Sequence, residues 1–284
     1  MSETVEIFEV GPRDGLQNEK RAIPTAEKVA LVDLLSGAGF RRIECASFVS
    51  PKWVPQMTDS GEVLAGIARV RGVSYAALTP NLKGLERALA AKADEVAVFG
   101  AASEGFSKAN INATVEEGLA RFVPVAEAAL EAGLPVRAYV SCVVECPYDG
   151  AVAPAAVARV VAALRDMGCY EVSLGDTIGR GRPEAVDAML SVVLDEMPAA
   201  QLAGHFHDTS GRALENIDVA LARGLRVFDA AVGGLGGCPY APGAAGNVAT
   251  EAVHDHLVAR GYVTGLDRAV LDKAAQMARA MRGT

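Results

Sequence analysis

The sequence predicts an α/β protein, a (β/α)8 TIM barrel with an extra C-terminal helix. Eight short apolar segments alternate with longer segments of helical periodicity. The length of 284 residues suits one barrel, which typically takes about 250 residues. The alternative is an open, doubly wound sheet, but the turn after the first strand reads GPRDGLQ and lacks the GxGxxG pattern of a dinucleotide site. We therefore treat residues 1–284 as a single domain.

The predicted strands are rich in Val, Ile, Ala and Phe. This apolar character is typical of parallel strands that are covered by helices on both faces. In chain order, the strands are predicted at residues 5–10, 42–46, 73–78, 95–99, 136–141, 171–174, 202–207 and 226–232.

The segments between the strands have the periodicity of amphipathic helices. Apolar residues recur at i, i+3, i+4 and i+7 in two clear stripes, Leu31/Leu34/Leu35/Ala38 and Val157/Val160/Val161/Leu164. Glycines just past predicted helices favour left-handed caps, because glycine adopts positive φ without strain. These glycines are Gly37, Gly39, Gly133, Gly168 and Gly224. The tail from Leu266 onward predicts the extra helix.

Composition and charge exclude several classes of protein. Hydrophobic residues make up 51% of the chain and charged residues 22%, which is typical of a folded domain with a large core. The net charge of −8 argues against nucleic-acid binding. The sequence carries neither a signal peptide nor about 18 consecutive apolar residues, so we expect a cytoplasmic protein without a membrane span. Five scattered cysteines indicate reduced thiols.

Polar side chains concentrate where the predicted strands end. Reactive groups of a barrel come from the C-terminal ends of its strands and the loops that follow. Buried charges are costly unless they are paired or bound to a metal, so such a concentration indicates a site. The residues at these ends are Arg13, Asp14, Glu44, Asp176, His205 and His207, and the last strand leads into GGLGGCPYAPGAAGN.

The HxH pair His205 and His207 is the sharpest local signal. Residues i and i+2 of a strand project to the same side, so both imidazoles can reach one ion. Asp14 would add a carboxylate oxygen and Asn247 an amide oxygen. This mixed set with open positions suits Mg²⁺ or Mn²⁺, while Zn²⁺ and Fe²⁺ remain open. The second pair, at residues 254 and 256, lies in a predicted helix, where i and i+2 do not face each other.

Cys238 lies in the glycine-rich segment after the last strand. Such a segment is flexible enough to close over a ligand, so this thiol is either a candidate acid, base or nucleophile or an incidental small residue. We expect Cys142 and Cys146 to have a structural role. Arg13 suits a carboxylate or an oxyanion but can equally pair with Asp14.

At five segments the sequence resembles the 3-hydroxy-3-methylglutaryl-CoA lyase family. The segments are EVGPRDGLQNEK, IECASFVSPKWVPQMTD, SLGDTIG, HFHDTSGRALEN and GGLGGCPYAPGAAGNVATE. The resemblance implies that Arg13 contacts substrate and that Cys238 is the thiol of a mobile loop. It places Glu44 and Asp176 in the active-site network. It also implies a divalent metal, Mg²⁺ or Mn²⁺, held by Asp14, His205, His207 and Asn247.

The reaction implied by this resemblance is a retro-Claisen cleavage in leucine degradation. An acyl-CoA substrate, 3-hydroxy-3-methylglutaryl-CoA, gives acetoacetate and acetyl-CoA, with Asp14 or Glu44 as the base. One alternative is a lyase for a longer-branched substrate such as the isohexenyl compound. Others are a Claisen synthase that joins acetyl-CoA to a 2-keto acid, and a non-catalytic barrel that binds metal or acyl-CoA. We also expect a homo-oligomer, a dimer or larger.

Overall fold

Eight parallel strands close into one barrel in the computed structural model, which describes residues 3–236 and 246–282. The barrel strands are β1 (Glu6–Glu9), β2 (Arg42–Ser47), β3 (Ser74–Leu78), β4 (Glu95–Ala101), β5 (Val136–Ser141), β8 (Glu171–Asp176), β9 (Leu202–Phe206) and β10 (Val227–Ala230). A small antiparallel pair, β6 (Glu145–Cys146) and β7 (Gly150–Ala151), lies outside the barrel. The order around the barrel is β1-β10-β9-β8-β5-β4-β3-β2. The predicted fold class is confirmed.

The helices surround the barrel and alternate with its strands. They are α1 (Thr25–Ser36), α2 (Ser60–Gly66), α3 (Leu82–Ala90), α4 (Glu104–Ile111), α5 (Val115–Glu131), α6 (Pro154–Asp166), α7 (Pro183–Val193), α8 (Ala213–Ala222), α9 (Thr250–Ala259) and α10 (Arg268–Met281). The last is the predicted extra helix, and the Asp267 side chain caps it by accepting from the backbone N–H groups of Ala269 and Val270. None of the helices in the described ranges is long and apolar enough to span a membrane.

The two predicted apolar stripes pack against the strands. Leu31 and Leu35 of α1 are buried, and so is the whole stripe of α6. The prediction for Gly37 was wrong, because its φ of −81° is right-handed and α1 ends there without a left-handed residue. The left-handed turn comes two residues later at Gly39, with φ 98°. The other three predicted cap glycines also have positive φ.

Charged side chains fill part of the barrel interior. Arg137 of β5 is completely buried, and its guanidinium donates to Glu171 at 2.6 Å and to Asp229 at 2.7 Å. Arg42 of β2 donates to Glu6 at 2.7 Å and also to Glu171. Buried charges are costly unless each is paired. Here the guanidinium groups and carboxylates pair across five strands, which satisfies that requirement.

Glu9, at the end of β1, ties the first turn of the chain to the last. Its carboxylate accepts from the backbone N–H of Gly11 at 2.8 Å, the N–H of Val232 at 2.9 Å and the hydroxyl of Thr250 at 2.6 Å. Complete burial raises the pKa of Glu9 to about 7, although these three hydrogen bonds oppose the shift.

Glu9→Gln is expected to flatten the dependence of stability on pH. The glutamine can keep the three hydrogen bonds, since its oxygen accepts from the two N–H groups and its nitrogen donates to Thr250. The pKa of Glu9 is 4.5 in an ordinary environment and about 7 in the folded chain. Its protonation therefore favours folding at low pH, and this contribution is lost as the pH rises from about 4.5 to about 7, by at most about 3 kcal/mol.

Urea unfolding at several pH values between 4 and 8 measures this effect. The free energy of unfolding of Glu9→Gln should gain on that of the unmodified chain as the pH rises. The variant Glu131→Gln, at an exposed position, is the control for removing one negative charge. Identical pH profiles of the free energy of unfolding for Glu9→Gln and the unmodified chain would contradict a raised pKa of Glu9.

Candidate metal and active site

A tight turn after β1 carries the first two site residues. Residues Gly11–Gly15 form a single π-helical turn, in which the N–H groups of Asp14 and Gly15 donate to the carbonyl of Val10. Gly15 has to be a glycine, because a Cβ there would lie 2.6 Å from the Cβ of Leu235. The turn holds Arg13 and Asp14 at the end of the barrel where the parallel strands have their C-terminal residues.

Asp14, His205 and His207 meet at this end of the barrel. Each offers one ligand atom, and the three atoms lie within 4.8 Å of one another. The two imidazole Nε2 atoms are 3.3 Å apart. His207 lies one residue beyond the end of β9, and an isolated β-bridge to Asn247 holds it in line. Both imidazoles therefore point toward one position, as the sequence predicts.

Asn247 joins this group through its amide. Its Nδ2 donates to Oδ2 of Asp14 at 2.8 Å and to the carbonyl of Leu235 at 3.3 Å. The structure thus brings together all four predicted ligands. Asn247 turns its nitrogen toward Asp14, so it would act as an oxygen ligand only with the amide rotated by half a turn.

The charges of the cluster suit a cation. Burial alone would raise the pKa of Asp14, but Arg13 and the two histidines lower it to about 2, so Asp14 is a carboxylate at neutral pH. Burial and the neighbouring His205 lower the pKa of His207 to about 4, which keeps its imidazole neutral and able to bind a metal. Burial opposes protonation of His205 as well, but its hydrogen bond with Asp229 raises its pKa above the ordinary value.

Arg13 lies between two carboxylates. Its Nε donates to Oε2 of Glu44 at 2.5 Å, and its Nη1 donates to Oδ1 of Asp14 at 2.7 Å. Burial would lower the pKa of Arg13, but Glu44 and Asp14 raise it, so the guanidinium stays charged. Glu44 also accepts from the hydroxyl of Tyr139 at 3.0 Å. Glu44 is fully buried behind Arg13, and its position is that of a group that orients Arg13.

Asp176 does not join the cluster. Its carboxylate accepts from the N–H of Gly181 at 2.8 Å and from the N–H of Arg180 at 3.3 Å, in the loop that follows β8. Burial raises the pKa of Asp176, and these hydrogen bonds oppose the shift. The side chain of Asp176 therefore stabilises the loop that follows β8. Thr177, the next residue in the chain, lines a cavity beside the cluster.

Cys238 lies outside the described residues, in the gap between 236 and 246, and its role stays a prediction. The four described cysteines are buried. Cys142 and Cys146 pack with Ala101 and Phe106 in a small apolar cluster, as expected for structural thiols. Burial raises the pKa of Cys142 to about 12, which makes it a poor nucleophile.

A cavity of about 710 Å³ opens beside the cluster. This volume lies in the range of small-molecule sites, about 300–1,000 Å³. Arg13, Asp14, His205, His207 and Asn247 form part of its wall. The remaining wall includes loops after several strands, with Trp53, Asn81, Phe106 and Asn110 among its residues. Trp53 is 86% exposed at the rim.

Three further polar residues near the cluster were missed by the sequence reasoning. All three lie inside strands, whereas site residues were expected near the C-terminal ends of the strands. They are Tyr139 of β5, Ser173 of β8 and Asp229 of β10. The alternation of polar and apolar residues in VRAYV and EVSLG could have identified Tyr139 and Ser173, because alternate residues of a barrel strand face its interior. The strand of Asp229, VFDA, has no such alternation.

The fold and the cluster define a (β/α)8 barrel with a candidate metal site of two imidazoles and a carboxylate at the mouth of a large cavity. The profile of the HMGL-like family matches residues 4–278, and the chain belongs to this family.

Three relatives are similar to this chain over nearly its whole length. The 3-hydroxy-3-isohexenylglutaryl-CoA/hydroxy-methylglutaryl-CoA lyase of Pseudomonas aeruginosa is 57% identical over 98% of this chain and 93% of its own length. The crystal structure of the HMG-CoA lyase from Brucella melitensis is 62% identical, with a TM-score of 0.98 and 99% of both chains covered. An HMG-CoA lyase structure from Acinetobacter baumannii, in complex with coenzyme A and 3-methylmalate, is 38% identical, with a TM-score of 0.92, and the match covers 98% of this chain and 91% of that chain.

His207→Ala is expected to weaken binding of Mn²⁺ by roughly 100-fold or more, because it removes a predicted ligand and not merely an outer hydrogen bond. His256→Ala is the matched control, since His256 lies on α9 and pairs with Asp218 at 2.8 Å. Titration of each variant with Mn²⁺, followed by the electron paramagnetic resonance of the free ion, gives both affinities. Unchanged affinity in His207→Ala, or an equal loss in the control, would refute the ligand assignment.

Proposed function

We propose that this protein is a carbon–carbon lyase that cleaves 3-hydroxy-3-methylglutaryl-CoA to acetoacetate and acetyl-CoA. The observation that carries the proposal is the convergence of Arg13 and Asp14 with His205 and His207 on the wall of one cavity. The high identity to hydroxymethylglutaryl-CoA lyases over nearly the whole chain supports the reaction. The relative crystallised with coenzyme A supports an acyl-CoA substrate.

The donor set of the cluster fits a divalent cation. Two imidazoles and a carboxylate converge, and Nδ1 of His205 lies 3.1 Å from the carboxylate of Asp229, which leaves its Nε2 on the side of the cluster. We assign Asp14, His205, His207 and Asn247 as ligands of Mg²⁺ or Mn²⁺. When bound, such an ion lowers the pKa of a hydroxyl group that it coordinates, as it does for bound water.

Asp14 is the residue that we propose as the general base. It lines the cavity, whereas Glu44 lies behind Arg13 and outside the cavity wall. Asp14 takes the proton of the tertiary hydroxyl group as the bond between C2 and C3 breaks, and C3 becomes the ketone of acetoacetate. Glu44 keeps Arg13 in place and does not touch substrate.

We assign Arg13 the role of stabilising the negative charge that forms on the leaving thioester. The electron pair of the broken bond moves onto the enolate of acetyl-CoA, and a fixed guanidinium beside it stabilises that charge. Cys238, or a water that it positions, then protonates the enolate carbon.

A second substrate has a specific observation in its favour. The Pseudomonas aeruginosa relative is named for the isohexenyl as well as the methyl compound, and it is 57% identical to this chain. The cavity of about 710 Å³ is large enough to make a longer substituent worth testing.

The reaction is tested by measuring acetoacetate formed from 3-hydroxy-3-methylglutaryl-CoA, with the isohexenyl thioester in a parallel assay. The expected result is turnover of the methyl compound that EDTA abolishes and added Mn²⁺ or Mg²⁺ restores. No acetoacetate in the presence of metal would contradict the proposed reaction. Faster cleavage of the isohexenyl compound would favour the second substrate.

Arg13→Met is expected to lower kcat by roughly 100-fold or more and to change KM little, because the charge that Arg13 meets forms only late in the reaction. Arg21→Met removes a guanidinium from the surface pair with Glu27 and serves as the control. Steady-state kinetics separate the two constants. A large rise in KM with kcat intact would make Arg13 an anchor for the substrate before reaction.

A further inference from the structure

Asp229 occupies a special place in the barrel. It lies on β10, and β10 is the strand between β1, which leads to Asp14, and β9, which carries His205. Its side chain is fully buried. Asp229 is therefore an interior carboxylate, and it contacts His205 of the candidate metal cluster, with 3.1 Å between its Oδ2 and Nδ1 of His205.

The carboxylate of Asp229 is held from three other strands. Arg137 of β5 donates to its Oδ1 at 2.7 Å and to its Oδ2 at 3.3 Å. Ser173 of β8 donates its hydroxyl proton to Oδ2 at 2.7 Å. The same Oδ2 lies 3.1 Å from Nδ1 of His205. The ion pair and the hydroxyl fix the position of Asp229 before any ligand is present.

A carboxylate that pairs with a guanidinium is an acceptor only. Nδ1 of His205 must then carry the hydrogen of the bond to Asp229, and the neutral ring has its lone pair on Nε2. This Nε2 is the atom that faces the Nε2 of His207 at 3.3 Å.

We propose that Asp229, held by Arg137 and Ser173, is a positioning residue that sets the tautomer and the ring plane of His205 so that its Nε2 is available to a cation. The inference rests on the metal site of the proposed function, and it adds a residue that touches neither substrate nor metal. Loss of such an outer partner typically weakens metal binding 10- to 100-fold.

A purely structural role for Asp229 would be to neutralise Arg137. Glu171 does that as well, since it accepts from Nε of Arg137 at 2.6 Å. The other partner of the Glu171 carboxylate among the described residues is Arg42. Asp229→Asn and Glu171→Gln therefore each remove one negative charge from Arg137, but Asp229→Asn alone changes the partner of His205.

The experiment is titration of the two variants and of the unmodified protein with Mn²⁺ alone, with urea unfolding of each in parallel. We expect Asp229→Asn to bind Mn²⁺ about 10- to 100-fold more weakly. Glu171→Gln should stay within about threefold of the unmodified protein, whatever stability it loses. Equal affinity in Asp229→Asn and the unmodified protein, or an equal loss in Glu171→Gln, would overturn the proposal.

A second measurement decides the inference without metal and without Asp229→Asn. Long-range ¹H–¹⁵N spectra of the metal-free protein at pH 9, with His205→Gln used for assignment, report which ring nitrogen of His205 carries hydrogen. The hydrogen is expected on Nδ1, and a hydrogen on Nε2 would overturn the proposal. Failure of the unmodified protein to bind Mn²⁺ would instead refute the metal site of the proposed function, whichever tautomer the spectra report.

Discussion

The site depends on the closure of the barrel between β1 and β10. Residues from Glu6 to Glu9 pair in parallel with residues from Val227 to Ala230, so the first strand of the chain lies beside the last. This pairing brings the turn that carries Asp14 to the strand end that carries His205 and His207. Glu9 reinforces the closure, because it accepts hydrogen bonds from residues that follow both strands. An open sheet of the same strands would leave these side chains far apart.

Paired buried charges hold the site residues in place, both in the barrel interior and at its mouth. In the barrel interior, Arg137 holds Asp229, and Asp229 holds His205. At the mouth, Glu44 holds Arg13 against Asp14. Arg13 and Arg137 therefore each have two carboxylate partners, and each of those four carboxylates has at least one cation as a partner. Such an arrangement costs little reorganisation when a ligand or a new charge arrives, which is the condition for electrostatic catalysis.

Much of this architecture was predictable, and the rest has identifiable physical reasons for escaping the sequence. Apolar segments predicted all eight barrel strands, and the spacing of His205 and His207 predicted their convergence. Glu44 lies next to an irregularity in the pairing of β2 with β3, between Glu44 and Ala46, and local sequence does not specify such a shift. Asp176 ends its strand as predicted, but two backbone N–H groups of the next loop take up its carboxylate. Asp229 was missed because its role depends on partners from three other strands.

We propose that one cation binds where these distant segments meet. Diffraction from crystals soaked in Mn²⁺, recorded at the manganese absorption edge, tests it most directly. We expect one strong anomalous peak within bonding distance of Asp14 and of the Nε2 atoms of His205 and His207. A peak bonded to other residues, or no peak between these three groups at saturating Mn²⁺, would contradict it.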